Sequence, residues 1–174
     1  GVFEVGMDKK GEINSLTKVI KPDIGIITNI SYAHAKNFKN IKQIAMAKAE
    51  IINNINTDGF IILNADDQFF YLHKKIAIKK KLKVLSFAMN KKANVKFMYI
   101  KREKNKFKVF LMINNKKKYF YISNNFENFI KNLLGVIAII SIFKNPIKFD
   151  KNIFYKFRIP EGRGDIVKIK IKKK

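Results

Sequence analysis

Cysteine is absent from the 174 residues, which removes disulfide frameworks, thiolate zinc sites and cysteine nucleophiles together. Arginine is scarce as well. Of 37 basic residues only Arg102, Arg158 and Arg163 are arginines and the rest are lysines, whereas bidentate recognition of phosphate and guanine ordinarily draws on arginine. No stretch approaches the roughly 20 apolar residues of a bilayer span; Leu133 to Phe143, the longest candidate, is interrupted by Gly135 and Ser141. Neither glycine-rich phosphate signature, Gly-x-x-x-x-Gly-Lys-Ser/Thr or Gly-x-Gly-x-x-Gly, occurs. Gly1 to Met7 resembles neither a secretory nor a transit peptide.

What is present describes a folded domain. Hydrophobic residues make up 47% and aromatics 13%, with 16 Phe, which is far too apolar for a disordered polybasic tail. The length suits one domain with a substantial core. The net charge of +24 is carried by lysines in every segment, and reads as charge spread over all exposed faces rather than one selected patch. Runs such as Lys79-Lys80-Lys81 and Lys116-Lys117-Lys118 would still attract polyanions in a salt-dependent way, so a basic nucleic-acid-binding module stands as an alternative.

The apolar pattern alternates between strand and helix. Val2 to Met7 is expected as a short strand, followed by a helix from about Glu12 with Ile13, Leu16 and Ile20 on one face. Pro22 ends it, and Asp23 to Ile30 reads as a buried strand. A helix over about Ile41 to Ile55, a strand at Gly59 to Leu63, and a helix running to about Lys79 complete a strand–helix alternation. From Lys83 onward, Val95, Phe97 and Tyr99, then Phe107 to Ile113, then Tyr119 and Tyr121 alternate, with turns near Lys104-Asn105 and Asn114-Asn115. A strongly apolar helix through Phe126, Ile130, Leu133 and Ile137 should stop before Pro146, and Val167, Ile169 and Ile171 suggest a last strand. The fold class is α/β: a largely parallel mononucleotide-binding sheet flanked by helices, with an additional antiparallel β meander.

In such sheets reactive groups gather beyond the carboxyl ends of the strands. Glu4, the Thr28-Asn29 pair with His34 after it, and Asn64 with Asp66 and Asp67 stand at those places. Glu4 could bind a cation or simply face outward from an edge, and His34 could ligate a metal, contact phosphate or pack as an ordinary residue. Asp66 and Asp67 suit the first turn of a helix. His73, mid-helix, shows no partner pattern and reads as structural. Lys48 is the sharpest signal. It shares the stripe of Ile44, Ala45, Ile51 and Ile52 and therefore points inward. Desolvation lowers the pKa of such an ammonium, and the neutral amine can react with carbon dioxide to form a carbamate. A lysine snorkelling at the rim of the core is the other reading. Arg163, between Gly162 and Gly164, can reach a ligand or merely belong to a turn.

Taken in order, Glu4-Val5-Gly6-Met7, Gly11-Glu12-Ile13, Pro22-Asp23, Ile27-Thr28-Asn29-Ile30, Ala33-His34, Ala47-Lys48-Ala49-Glu50-Ile51, Leu63-Asn64-Ala65-Asp66-Asp67 and Gly162-Arg163-Gly164 resemble the central domain of the Mur ligases. Within them, Gly11-Glu12-Ile13 and Ala33-His34 resemble the branch that adds D-alanyl-D-alanine to a UDP-MurNAc-tripeptide (UDP-N-acetylmuramoyl-tripeptide). The resemblance implies a cytoplasmic enzyme that uses ATP to convert a peptide carboxylate to an acyl phosphate, which the amine of D-alanyl-D-alanine then attacks. It further implies magnesium held by Glu4, His34 and a carbamylated Lys48. Asn132 would lie against adenine, Arg163 would reach the terminal phosphates, and Asn64 would join the nucleotide site. Phe126-Glu127-Asn128-Phe129 departs from the family's Gly-x-His-Asn. Residues 1–174 are then expected to be part of a central domain, with the P-loop upstream of residue 1 and the carboxyl-terminal domain absent. Such a piece would be inactive alone, and an uncovered sheet edge would favour self-association. A folylpolyglutamate or cyanophycin synthetase-like ligase is the alternative within the superfamily.

Overall fold

The computed structural model describes residues 1–32, 37–123 and 127–157, with Glu127 and Asn128 described in backbone only. A single six-stranded sheet runs β1 (Ile24–Ile27), β2 (Phe60–Asn64), β3 (Lys83–Ala88), β4 (Val95–Glu103), β5 (Lys106–Ile113) and β6 (Lys116–Ile122), in that spatial order. The first four are parallel neighbours and the last three antiparallel. This is the expected α/β fold with its meander.

Helices cover both faces because the inner strands are apolar on both sides. Along β2 the alternation is direct: Ile62 faces α5 (Glu127–Phe143), whereas Ile61 and Leu63 face the layer of α2 (Ile41–Lys48), α3 (Glu50–Asn53) and α4 (Phe70–Lys79). Leu134, Ile137 and Ala138 of α5 pack with Phe87, Val95, Val109, Leu111 and Phe120. On the opposite face, Ile44, Ala45 and Ile52 pack with Ile27, Ile61 and Ala77.

The junction of β3 and β4 is unusual. Parallel neighbours normally need a crossover of a dozen or more residues, but here only Phe87 pairs with Val95 and Ala88 with Lys96. An overlap so short lets a brief loop suffice. Asn94 secures that loop by accepting from the Ser86 N–H at 2.9 Å and the Ser86 hydroxyl at 3.0 Å. The remainder of β4 runs on into the meander, whose β5–β6 turn uses Asn114 (φ 45) and Asn115 (φ 66), the left-handed pair that a two-residue hairpin requires.

Several expectations are corrected. Val2 to Met7 forms no strand, since an apolar run becomes one only with a partner and none pairs with it among the described residues. In α1 (Glu12–Ile20) the inward face is Ile13 and Thr17, at 5% and 1% exposure, while Leu16 is 49% exposed. Thr17 can be buried because its hydroxyl donates to the Ile13 carbonyl at 2.6 Å. The single helix expected over Ile41 to Ile55 is two, broken at Ala49. β3 is one more parallel strand, where the alternation reading opened the meander. On β6 the core face is Phe120 and Ile122, and Tyr119 and Tyr121 lie on the outer face. The strand expected at Val167, Ile169 and Ile171 lies outside the described residues, as do Phe126, His34 and Arg163.

That outer face also shows where many lysines go. Tyr99 stacks on Phe110 at 4.3 Å between centroids, with Tyr119 beside Phe110 at 5.6 Å. Lys106 lies 3.6 Å over the Tyr121 ring, and Lys108 and Lys151 lie 4.1 and 4.7 Å over Tyr119. Their aliphatic stems cover ring surface while the ammonium groups stay in water.

Candidate active site

At the carboxyl ends of β1 and β2, three consecutive residues are each pinned by a different side chain. The Thr28 carbonyl accepts from Asn64 Nδ2 at 3.3 Å, the Asn29 carbonyl accepts from Lys48 Nζ at 2.8 Å, and the Ile30 N–H donates to Asp67 Oδ2 at 3.1 Å. The segment leaving β1 is thereby fixed by α2 and by the loop leaving β2.

Lys48 reaches this point because α2 buries Ile44, Ala45 and Ala47 and leaves the next position on the same flank half-buried. Burial pushes its pKa down, and the negative charge of Asp67 partly opposes that. An amine so placed is easier to deprotonate than a surface lysine and sits where ligand groups of parallel sheets converge. The position lies between the two expectations: the side chain is half-buried, and its amine ends in a contact that solvent reaches.

Asn64 is committed to backbone partners: besides Thr28, its Oδ1 accepts the Asp66 N–H at 3.0 Å. Asp66 and Asp67 are not first-turn acids, because α4 begins only at Phe70. The Asp66 carboxylate instead gathers the N–H groups of Met89 at 2.6 Å, Asn90 at 3.2 Å and Lys91 at 2.9 Å beyond β3. Asp67 also accepts from the Phe69 N–H at 2.8 Å. Glu4 is exposed in a segment without regular structure, and Asn132 is exposed on α5. Among the described residues no group of three or more His, Asp or Glu side chains could hold a metal ion. The described residues therefore place Lys48 at the carboxyl edge of the sheet without a complete set of metal ligands beside it.

Glu50 escapes sequence reasoning: it accepts N–H groups from Gly11 at 2.9 Å and Asn14 at 3.1 Å. His73 has the structural setting expected of it, buried with its Nε2 3.0 Å from the Ala45 carbonyl oxygen, although no local spacing encodes that partner.

A mostly parallel sheet covered on both faces, with a half-buried amine and pinned loops at the carboxyl ends of its strands, belongs to the class of α/β domains that bind ligands across that edge. Residues 1–140 match the family described as Mur ligase middle domain, and the chain belongs to that family. It is 33% identical over 171 residues to the UDP-N-acetylmuramoyl-tripeptide–D-alanyl-D-alanine ligase of Rickettsia prowazekii, a match covering 97% of this chain and 38% of that protein. The chain thus spans well under half the length of that relative. The crystal structure of MurF from Acinetobacter baumannii superposes with a TM-score of 0.71 at 24% identity, covering 80% of this chain and 30% of that one. MurF from Thermotoga maritima, in complex with ADP, gives 0.71 at 16% identity, covering 82% and 33%. The fold is that of these domains. No helix among the described residues is long and apolar enough to cross a membrane.

Proposed function

We propose that the chain provides the central-domain part of an ATP-dependent ligase that adds D-alanyl-D-alanine to a UDP-MurNAc-tripeptide during peptidoglycan precursor synthesis in the cytoplasm. Family membership and the relative from Rickettsia prowazekii support this reading. The observation that carries it is the half-buried Lys48 amine held against the Asn29 carbonyl at the carboxyl edge of the sheet. In the proposed chemistry ATP phosphorylates the peptide carboxylate, and the incoming amine displaces phosphate from the acyl phosphate to form the amide.

Lys48, as its carbamate, would supply a carboxylate-like oxygen pair to magnesium, with Glu4 and His34 as further ligands. Asn132 and Arg163 would serve adenine and the terminal phosphates, and Asn64 would hold the loop beneath the nucleotide. Magnesium, when bound, neutralises charge on phosphoryl oxygens. Lys48 itself contributes a deprotonatable amine, and Asp67 and Asn64 contribute a fixed loop. The lysine excess acts as general surface charge, without a specific nucleic-acid partner.

The test exchanges residues 1–157 for the matching stretch of the Rickettsia prowazekii ligase and follows ADP release and product mass. Ligation by the chimera, lost on Lys48→Ala with the fold retained, is the expected result. The 174-residue chain alone should not ligate. A folded chimera that ligates glutamate to folate and not D-alanyl-D-alanine to the tripeptide would move the protein to another branch.

A further inference from the structure

His73 lies in the middle of α4, only 2% exposed, with Nε2 3.0 Å from the Ala45 carbonyl oxygen of α2. A carbonyl can only accept, so the imidazole carries a proton on Nε2 and donates it. Burying an imidazole is costly unless it is hydrogen-bonded, and an apolar side chain would fill the same space without that requirement. The donor thus has a consequence to be sought at its acceptor.

The Ala45 carbonyl also takes the Ala49 N–H at 3.0 Å, at the point where α2 ends and the chain breaks before α3. An eight-residue helix is too short to hold itself in water, so its tertiary anchors set its tilt and rotation. At its start Asn40 accepts the Gln43 N–H at 3.0 Å, and in its last turn His73 holds Ala45. Lys48 stands three residues after Ala45, less than one turn on. A small rotation of that turn is magnified along the lysine stem, which ends 2.8 Å from the Asn29 carbonyl. Asp67 receives the N–H of Ile30, the residue next to the Asn29 carbonyl that Lys48 holds, and its negative charge opposes the lowering of both the Lys48 and the His73 pKa.

We propose that His73 is a positioning residue for Lys48: its Nε2–H fixes the Ala45 carbonyl and so the last turn of α2, from which the lysine amine reaches the Asn29 carbonyl. The inference rests on the reading of Lys48 as the functional amine. His73 acts through α2 and touches no reacting atom in this scheme.

Competitive acetylation of the full chain by limiting acetic anhydride, read by mass spectrometry lysine by lysine, tests it. With each rate corrected for the neutral fraction of that amine, taken from its own pH profile, Lys48 in the unaltered chain should react more slowly than the exposed Lys18 and Lys79. In His73→Leu the Lys48 rate should rise about fivefold, the factor carried by one net hydrogen bond, with Lys18 unchanged. His73→Gln, which keeps an N–H donor, should restore protection. An unchanged Lys48 rate in a folded His73→Leu protein would overturn the proposal. Should His73→Leu not fold, a two-bond 1H–15N spectrum of the unaltered chain decides. Protonation on Nε2 supports the proposal and the Nδ1-protonated tautomer sinks it. A carbamate resonance from 13C-bicarbonate that disappears in Lys48→Arg tests the reading of Lys48 separately, and its absence would remove that reading without altering the acetylation result.

Discussion

Glu50, the first residue of α3, caps α1 from 39 residues away: its carboxylate receives the Gly11 N–H at 2.9 Å and the Asn14 N–H at 3.1 Å. The residue preceding α1 is Gly11, which has no side chain to do this, so an anionic group from another helix meets the free N–H groups and the positive end of the helix dipole. Removing it by Glu50→Ala should cost about 1–3 kcal/mol, measured by urea unfolding. Because Glu50 follows Lys48 by two residues, the loss should also speed acetylation of Lys48. A change below experimental error in both would show that water replaces the carboxylate without cost.

The pH dependence of stability has a sign set by His73. Burial lowers its pKa below the usual 6.5, with the Ala45 hydrogen bond and the Asp67 charge opposing. Above about 6.5 the ring is neutral in both folded and unfolded chains and contributes no slope. As pH falls below that value the unfolded chain takes up the proton first, so stability should decline until the folded ring protonates. His73→Gln should flatten this window. The exposed Glu12 carboxylate, held below its usual range by the N–H groups of Asp8 and Lys9, acts at lower pH, where its stabilisation is lost as pH falls through its folded pKa. Chemical unfolding at intervals from pH 8 to 3, in both proteins, separates the two effects.

Gly59 is irreplaceable for a steric reason. A Cβ there would stand 2.6 Å from the Asp23 carbonyl oxygen and 2.8 Å from that of Asn56. Both oxygens are already engaged, accepting from the Phe60 and Gly59 N–H groups at 2.9 and 3.0 Å. Neither can withdraw without breaking the turn that launches β2. Gly59→Ala should destabilise by about 1–3 kcal/mol, whereas Gly6→Ala, with nothing within 4 Å, should be neutral. Thermal unfolding of the pair checks both statements.

Among the described residues β1 pairs on one side only, with β2. Its other edge presents unpaired backbone groups, a template for pairing with a second copy. Size-exclusion chromatography over a concentration series should show a shift toward larger species. An unchanged monomer elution at every concentration would count against this.

Legibility in the sequence followed the range of the interaction. The meander could be read because its turns are local: Asn114-Asn115 dictates a hairpin on its own, and alternating Val109, Leu111 and Ile113 define its inner face. Lys48 could be read in part, because helical spacing takes it off the exposed face but does not fix how deep its amine ends. Val2 to Met7 could not, since apolar content does not say whether a partner strand is present. The pattern favours Leu16 over Thr17 because a hydroxyl satisfied within its own helix counts as polar in any pattern. Asp66 resembles a helix-start acid in sequence, but that helix begins four residues later, and its real partners, the N–H groups beyond β3, arise only once the strands are side by side.

The two residue pairs that join β3 to β4 make a narrow seam between the parallel half and the meander, and α5 is the beam laid across it, packing on β2, β3 and β4 alike. Mechanical load applied to the meander would pass through that beam. Shortening α5 from its carboxyl end should therefore cleave the molecule's cooperativity along the seam, leaving each half to melt at its own temperature.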